Sequence, residues 1–313
     1  MKDLYTLGDL RDWRAITAAG VHPVRLAVCG DPVAHSASPA MHNAALAKCG
    51  IDARYTRLHI TPDELAAAVG LLPEAGFIGA NFTIPHKAAL LPLLQHVDDH
   101  ARRSGAVNTV AVDDDEIIGY NTDGPGLVRA VRAEFRVDLR DLRVLILGAG
   151  GGAGRAIAVQ CGIEGCERLV LVNRTLEKAQ ALARELVPLF TGTRVLGPVA
   201  RLEAVAWDPE ALRFQLENTD LVINCTSVGM KRTDSSPIPS SLLQPHLMIY
   251  DTIYTAARTK LMQAGEESGA RTANGLSMLL HQGALAFEIW FNRPAPLDEM
   301  RAALEAGGQS VVK

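Results

Sequence analysis

The stretch Leu142-Arg-Val-Leu-Ile-Leu-Gly-Ala-Gly-Gly-Gly-Ala-Gly154 decides the fold of this chain. Its first part, Leu142 to Leu147, is an apolar run typical of a buried strand, and the glycine cluster after it opens a predicted helix. Strand, glycine turn and helix in this order fit the G-x-G-x-x-A/G pattern of dinucleotide-binding domains. In that pattern Gly148 allows the tight turn, Gly150 lets the backbone approach a pyrophosphate, and Ala153 permits close packing of helix on strand. A glycine-rich turn with a purely structural role is the alternative interpretation.

Strands and helices alternate on both sides of this stretch. After it, strand patterns recur over 168–172, 221–224 and 247–251, with a helix predicted over 177–187. A series of this kind predicts a doubly wound domain with a parallel sheet. Before it, apolar runs also alternate with predicted helices, so the whole chain is expected to be α/β. The length of 313 residues, at roughly 150 residues per domain, predicts about two domains.

The composition argues against several classes of protein. The net charge of −4 and the aromatic content of 5% offer neither the basic face nor the stacking platform of a nucleic-acid-binding protein. No segment reaches the roughly 20 apolar residues of a membrane span, and charges interrupt residues 1–20, where a secretory signal needs an apolar run. The five cysteines form no C-x-x-C pair, so neither a disulfide framework nor a zinc site is expected. We therefore expect a cytoplasmic protein without a metal, nucleic-acid or membrane partner.

The end of the second strand in the nucleotide-binding half indicates the type of cofactor. NAD-binding domains place Asp or Glu there to bind the ribose 2′-hydroxyl. This chain has Asn173-Arg-Thr175, with Lys178 one helical turn further on. A guanidinium can pair with a 2′-phosphate, so the pattern favours NADP over NAD. The alternative is a solvated Arg174 beside a helix-capping Thr175, and Glu177 is a nearby carboxylate that argues for NAD.

Polar residues follow several strands in the first half of the chain. These segments are His35–Pro39, Gly79–Lys87, Gly105–Thr109 and Gly119–Gly124. In open α/β sheets, ligands bind outside the carboxyl ends of the strands, so the four segments together predict a site for a small polar molecule. Each segment taken singly is also compatible with ordinary turn chemistry, and Ser38 with a helix cap.

Taken together, these motifs resemble those of the shikimate dehydrogenase family, whose members interconvert 3-dehydroshikimate and shikimate. The matching segments, in the family's order from Val24 to about Trp290, are Gly30–Pro39 with Met41–Asn43, Asn81–Lys87, Gly105–Thr109, Asn121–Gly124, the glycine loop, Asn173–Thr175, Asn224–Met230, Asp251–Tyr254 and Asn274–Gln282. The resemblance implies a reversible reduction with NADPH in the biosynthesis of chorismate and the aromatic amino acids.

The resemblance also implies roles for individual residues. Lys87 and Asp123 occupy the positions of the family's catalytic pair, and an ion pair that only joins two loops is the alternative. The positions of the family's substrate contacts are taken by Ser36, Ser38, Asn81, Thr83, Asn108, Tyr254 and Gln282. The positions of its NADP contacts are taken by Gly148, Ala149, Gly150, Gly151, Gly152, Ala153, Asn173, Arg174, Thr175, Lys178 and Thr226, with Met230 and Gly275 near the nicotinamide.

For the architecture, the resemblance implies two domains with the active site in an interdomain cleft. A substrate-binding and catalytic domain is expected over 1–123 and 271–313, because the last helices of the family return to its first domain. A Rossmann NADP-binding domain is expected over 124–270. The partners implied are small molecules, and the protein is expected to be a monomer or a homodimer.

The chain departs from the family pattern at three places. Phe82 replaces the usual β-branched residue between Asn81 and Thr83, and we expect a change in packing because this position alternates away from the site. Residues 255–257 replace a proline of the family, which predicts a looser loop beside the nicotinamide. Residues 1–23 have no counterpart in the family pattern.

Two other functions stay open at this point. One is a quinate/shikimate dehydrogenase of broader substrate or NAD use, against which Ser38 and Asn173–Thr175 argue. The other is a ligand-binding relative without catalysis, against which the presence of both Lys87 and Asp123 argues.

Overall fold

Two compact units make up the chain. Unit 1 comprises Met1–Asp123 and Leu279–Lys313, and unit 2 comprises Gly124–Met278. The second boundary lies after residue 278, and not after 270 as expected, because the strand Arg271–Asn274 pairs with Met248–Asp251 in the sheet of unit 2. The computed structural model describes residues 2–18, 20, 22–113, 116–191, 200–231, 233–254 and 258–309.

Unit 1 begins with six α-helices and seven strands, counted over the described residues. In chain order they are β1 (Tyr5–Thr6), α1 (Leu7–Arg11), α2 (Trp13–Thr17), β2 (Val24–Gly30), α3 (Ser38–Lys48), β3 (Arg54–His59), α4 (Leu65–Leu71), β4 (Gly79–Phe82), α5 (His86–Leu90), β5 (His96–Val97), α6 (Asp99–Ser104), β6 (Thr109–Asp113) and β7 (Glu116–Tyr120).

The strands of unit 1 form a sheet that is seven-stranded over the described residues, in the order β1-β3-β2-β4-β6-β7-β5. Strands β1, β3, β2 and β4 run parallel, whereas β6 is antiparallel to both β4 and β7. The segments 31–37 and 83–85, which follow β2 and β4, therefore emerge at one edge of the sheet. Because β6 runs the opposite way, Asn108 before it and residues 121–123 after β7 reach this same edge.

Two helix starts in unit 1 differ in how they are capped. Thr6 and Asp9 form a capping box at the start of α1, with Thr6 N–H donating to Asp9 Oδ2 at 3.0 Å. Ser38 does not cap α3, because it is already the first helical residue and Ala37 holds the N-cap position. The interpretation of Ser38 as a helix cap is therefore wrong.

The rest of the chain belongs mainly to unit 2. Its elements are α7 (Asp123–Phe135), β8 (Arg143–Leu147), α8 (Gly152–Glu164), β9 (Arg168–Asn173), α9 (Leu176–Leu186), β10 (Leu202–Ala206), α10 (Pro209–Glu217), β11 (Leu221–Asn224), β12 (Met248–Asp251), α11 (Lys260–Glu267), β13 (Arg271–Asn274), α12 (Leu276–Phe291) and α13 (Leu297–Gln309). Helix α12 begins in unit 2 and continues into unit 1, where α13 packs against α3.

The strands of unit 2 form a parallel sheet, six-stranded over the described part of the chain, in the order β10-β9-β8-β11-β12-β13. Numbered along the chain, this is the order 3-2-1-4-5-6 of doubly wound dinucleotide-binding domains. The prediction of an α/β fold with a Rossmann domain is confirmed. The winding direction reverses between β8 and β11, and ligands of such sheets bind outside the strand ends at that point.

Each unit has a hydrophobic core of its own. In unit 1, apolar residues such as Leu58, Phe82 and Val110 pack together. In unit 2, Ile146 belongs to the cluster on one face of the sheet and Leu145 to the cluster on the other, as expected for a parallel sheet covered on both faces. Among the described helices, none combines the length and the hydropathy that crossing a membrane requires.

Candidate active site

Lys87 and Asp123 form an ion pair in unit 1. Lys87 lies in α5, shortly after β4, and Asp123 follows β7 and begins α7. Lys87 Nζ donates a hydrogen bond to Asp123 Oδ2 at 2.6 Å. The Lys87 side chain is 33% exposed and that of Asp123 is 13% exposed. A largely buried carboxylate thus holds a lysine whose side chain stays accessible.

Two amide side chains complete this group. Asn108 Nδ2 donates to Asp123 Oδ1 at 3.0 Å and lies 3.4 Å from Gln282 Oε1 in α12. Asn108 is itself fixed, because its Oδ1 accepts a hydrogen bond from the N–H of Thr122 at 2.8 Å. The structure therefore brings four of the predicted residues together from four separate segments. We refer to Lys87, Asn108, Asp123 and Gln282 as the lysine cluster.

The predicted hydroxyl residues of unit 1 lie at the same edge of the sheet. Ser36 is partly buried, and its Oγ accepts a hydrogen bond from Ser38 N–H at 3.3 Å. Ser38 is buried, and its side chain lies beside the Tyr55 phenol. Thr83 is partly buried beside Gly30, where a Cβ would overlap the Thr83 methyl group.

Asn81 lies in this region but is buried, and its amide is engaged inside unit 1. Its Oδ1 accepts from the Tyr55 hydroxyl at 2.7 Å, and its Nδ2 donates to Thr109 Oγ1 at 3.0 Å. Asn81 thus links β3, β4 and β6, and its contact with a substrate stays a prediction. Tyr55 does not stand out in the sequence, because the alternating pattern of β3 indicates a strand but not the partner of a buried hydroxyl.

The glycine loop of unit 2 joins β8 to α8. Gly148 has a φ of +82°, a conformation that strongly favours glycine. Gly150 N–H donates to Asn173 Oδ1 at 3.2 Å. A Cβ at position 150 would lie 2.8 Å from the Cβ of Lys178, so a side chain there would fill the space that the loop leaves open.

The close contact between α8 and β8 is made by Gly154 and not by Ala153. Ala153 is exposed in the first turn of α8. A Cβ at Gly154 would overlap the Gly148 carbonyl oxygen and lie 2.9 Å from the Cα of Ala149. The prediction that Ala153 provides the packing is wrong, because the turn carries one residue more and its spacing is G-x-G-x-x-x-G.

The N-terminus of α8 is exposed and free of acidic side chains. Gly151 holds the N-cap position without a side-chain hydrogen bond, and the first turn contains no Asp or Glu. Gly151 and Gly152 are both exposed. Unsatisfied N–H groups at a helix N-terminus attract anions, and the cradle at Gly150 leaves room beside them. The residues present therefore fit the pyrophosphate of a dinucleotide.

The end of β9 presents two cations. Arg174 and Thr175 follow Asn173 and are exposed, as is Lys178 in the first turn of α9. Thr175 holds the N-cap position of α9, as the alternative interpretation has it, but its side chain makes no capping hydrogen bond. Glu177 is also exposed there, and the local excess is still positive, as a 2′-phosphate requires.

The other predicted residues of unit 2 follow β11, β12 and β13. Thr226 donates through its N–H and its Oγ1 to Asn224 Oδ1, at 3.1 and 2.8 Å. Met230 is 63% exposed and Tyr254 is 49% exposed. At the buried Gly275, a Cβ would overlap the backbone before Tyr254, at the carbonyl of residue 252. Tyr254 belongs to unit 2, whereas the other predicted substrate contacts belong to unit 1.

Asp251 is a buried carboxylate that joins these strand ends. Asn224 Nδ2 donates to its Oδ1 at 3.0 Å, and Thr259 Oγ1 donates to its Oδ2 at 2.7 Å. Burial raises the pKa of Asp251 above its ordinary value, against the hydrogen bonds, which lower it. In the sequence, Asp251 stands out only as part of a motif. Its role as a link between β11, β12 and the start of α11 becomes visible only in the structure.

One of the departures from the family pattern, at Phe82, has a structural outcome. Phe82 points into the core of unit 1, where its ring meets that of His86 edge-on with centroids 6.5 Å apart. This agrees with the expectation that position 82 alternates away from the site. Residues 255–257, for which a looser loop is expected, lie outside the described residues.

Family comparisons match most of the chain. The model of the shikimate dehydrogenase substrate binding domain matches residues 28–110. The model of shikimate / quinate 5-dehydrogenase matches residues 130–251, and that of the shikimate 5′-dehydrogenase C-terminal domain matches residues 275–305.

Individual relatives extend this match over nearly the full length. Shikimate dehydrogenase (NADP(+)) of Symbiobacterium thermophilum is 42% identical over 280 residues, which cover 89% of this chain and 92% of the relative. A crystal structure of shikimate dehydrogenase in complex with NADP⁺ has a TM-score of 0.82 at 32% identity, covering 92% of this chain and 96% of that one. The shikimate 5-dehydrogenase of Thermus thermophilus, in complex with NADP(H) and shikimate, has a TM-score of 0.78 at 34% identity, covering 91% and 99%. The resemblance seen in the motifs is confirmed, and the chain belongs to the shikimate dehydrogenase family of oxidoreductases.

Proposed function

We propose that this protein interconverts shikimate and 3-dehydroshikimate with NADP, and that its biosynthetic direction is the reduction of 3-dehydroshikimate with NADPH. The lysine cluster carries the proposal, because it pairs Lys87 with Asp123 beside two amide side chains. Oxidising a polyhydroxy acid needs one group that moves a proton and others that hold hydroxyl groups. This cluster supplies both kinds of group in a chain of the shikimate dehydrogenase family.

Lys87 is the residue that moves the proton. On oxidation of the alcohol, the Lys87 amine accepts the hydroxyl proton as hydride leaves carbon, and on reduction the ammonium donates a proton to the developing alkoxide. When bound, NADP⁺ would accept the hydride in the oxidation and NADPH would supply it in the reduction. Asp123 orients Lys87 through the 2.6 Å hydrogen bond, and its other oxygen can also accept from a substrate hydroxyl. Both residues act on the substrate, and together they form the catalytic pair.

The substrate binds at the edge of the unit 1 sheet where the lysine cluster lies. Hydroxyl groups from Ser36, Ser38 and Thr83 reach this edge from the segments after β2 and β4. Amide groups from Asn108 and Gln282 can donate to and accept from ring hydroxyls. Asn81 and Tyr254 complete the proposed contacts.

NADP binds to unit 2, with its pyrophosphate at the glycine loop, Gly148–Ala153, and the first turn of α8. Arg174 and Lys178 pair with the 2′-phosphate, and Asn173 and Thr175 border it. Thr226, Met230 and Gly275 lie near the nicotinamide. Unit 1 is thus the substrate-binding and catalytic domain, and unit 2 is the cofactor domain. The protein acts on small molecules in the cytoplasm, as a monomer or a homodimer.

Replacing the lysine of the catalytic pair tests this proposal. We expect Lys87→Met to lower kcat for shikimate oxidation with NADP by about 10²- to 10⁴-fold, the contribution of a positioned acid–base group, with little change in KM. Lys48→Met is the matched control, because Lys48 is another ion-paired lysine of unit 1, bonded to Glu299 in α13. A folded Lys87→Met protein with a near-normal kcat would refute the assignment.

A further inference from the structure

Three alternate side chains of β3 lie against the segment that carries Ser36 and Ser38, and two of them bond it. We call residues 31–38, which lead from β2 into α3, the serine loop. The Tyr55 phenol lies beside the Ser38 side chain, Arg57 donates to the Ser36 carbonyl oxygen, and His59 Nε2 lies 2.9 Å from Asp31 Oδ1. Successive side chains of a strand point to opposite faces, so residues at every second position form a row along the loop.

Arg57 makes the strongest of these contacts. Its Nε and Nη2 both donate to the carbonyl oxygen of Ser36, at 3.1 and 2.6 Å. Hydrogen bonds from a charged donor are shorter and stronger than neutral ones, and the planar guanidinium fixes direction as well as distance. The Ser36 backbone is thus fastened at the residue whose hydroxyl is proposed to contact the substrate.

Tyr55 is held rigidly enough to act as an anchor. It is buried, and Asn43 in α3 bonds both its backbone N–H and its carbonyl oxygen at 2.9 Å. The His42 ring stacks on the Tyr55 ring, with centroids 4.4 Å apart and an interplanar angle of 12°. Burial lowers the pKa of His42 to about 3, so the stacked ring is neutral at physiological pH. The Tyr55 hydroxyl therefore reaches Ser38 and Asn81 from a fixed position.

We infer that β3 is a positioning strand for substrate recognition, in which Arg57 and Tyr55 hold the Ser36 and Ser38 hydroxyls in place before the substrate arrives. This inference rests on the proposed function, which makes the two serines substrate contacts. The side-chain bonds of Arg57 go to the serine loop, whereas the lysine cluster is held by bonds among its own members and from Thr122. Loss of Arg57 should therefore weaken substrate binding and leave the proton transfer at Lys87 intact.

Steady-state kinetics of Arg57 variants test the inference. We expect Arg57→Met to raise KM for shikimate about tenfold to a hundredfold, the effect of losing a hydrogen bond to a charged group. Its kcat and its KM for NADP should stay close to those of the wild type. Arg57→Lys, which keeps a charged donor, should recover part of the loss. Arg54→Met is the control, because Arg54 lies on the same strand but on its opposite face.

Hydrogen–deuterium exchange of the ligand-free protein provides a readout that does not depend on the substrate. The N–H groups of Ser36 and Ser38 are hydrogen-bonded within the serine loop, to the Val33 carbonyl oxygen and Ser36 Oγ. They should exchange faster in Arg57→Met than in the wild type or in Arg54→Met. Faster exchange together with a raised KM for shikimate would support the inference.

Each other outcome contradicts a defined part of the inference. Unchanged exchange, or faster exchange with an unchanged KM, would overturn the positioning role. A lower kcat together with raised KM values for shikimate and for NADP would indicate general damage to the fold and would also overturn the positioning role. The same holds if Arg57→Lys recovers none of the loss. A wild-type protein that does not turn over shikimate would overturn the proposed function and with it the substrate role of β3. The exchange comparison would then still decide whether Arg57 holds the serine loop.

Discussion

Arg174 and Lys178 are exposed cations where β9 ends, and the proposed binding of the NADP 2′-phosphate depends on them. We expect Arg174→Ala to raise KM for NADP about tenfold or more, because a charge-assisted contact with the 2′-phosphate is lost. KM for NAD, which has no such phosphate, should change little. The measurement is the ratio of kcat/KM for the two cofactors.

The matched control for this residue is Arg184→Ala. Arg184 is an exposed arginine in the last turn of α9, at the opposite end of the helix from Lys178. Arg184→Ala should leave the KM for NADP and the KM for NAD unchanged. An equal effect of Arg174→Ala on NADP and NAD would show that Arg174 does not read the 2′-phosphate.

Asp251 makes stability depend on pH in a direction that can be worked out. Its pKa is raised by burial above the ordinary value of 3.8, so the folded protein binds this proton more tightly than the unfolded chain does. The resulting stabilisation is fully present below pH 3.8 and is lost as the pH rises through the folded-state pKa.

An asparagine at position 251 cannot ionise and should lack this dependence. We expect the free energy of unfolding of Asp251→Asn, relative to the wild type, to improve as the pH is raised from about 4 to 7. Urea unfolding of both proteins at several pH values measures this difference, and the titrations that both proteins share cancel. A difference that is constant across the range would contradict the raised pKa.

At the scale of secondary-structure elements, the contact between α8 and β8 depends on Gly154. Because a Cβ there would overlap backbone atoms of Gly148 and Ala149, we expect Gly154→Ala to cost about 1–3 kcal/mol of unfolding free energy, as overpacking does. Gly152→Ala is the control for stability, since a Cβ at position 152 meets nothing within 4 Å. Chemical denaturation should show loss of stability only for Gly154→Ala.

The strands that can be predicted from the sequence and those that cannot differ in burial. Strands β8, β9, β11 and β12 are buried along most of their length and read as apolar runs. Strands β10 and β13 are the two edges of the unit 2 sheet, and their residues are mostly half-buried. An edge strand needs no continuous apolar run, so its pattern is weak. Because β13 is not predicted from the sequence, the expected domain boundary after residue 270 precedes the observed one after Met278.

The residues of the candidate site also differ in whether the sequence alone predicts them. Lys87, Asp123 and the glycine loop stand out in the sequence because motif and position at a strand end coincide. The supporting contacts of Tyr55, Arg57 and Asp251 depend on partners distant along the chain, which no local pattern reveals. The residue that packs α8 closely on β8 is Gly154, one position after the predicted Ala153. The conformation of the turn determines which of the two faces the strand.

At the scale of the whole molecule, the two units have separate cores and separate sets of proposed site residues. Unit 1 contains the lysine cluster and the serine loop, and unit 2 contains the glycine loop and the cations after β9. The division into about two domains is foreseeable from chain length, and the return of the last helices to unit 1 from the family resemblance. The proposed function requires that both units contribute to one reaction.

The most direct test of this function is the oxidation rate of the intact protein with shikimate or quinate, each offered with NADP or with NAD. Formation of reduced cofactor, followed by absorbance at mildly alkaline pH, gives kcat/KM for the four combinations. We predict that shikimate with NADP is by far the best pair. Turnover with quinate and NAD only, or no turnover with any pair, would contradict the proposal.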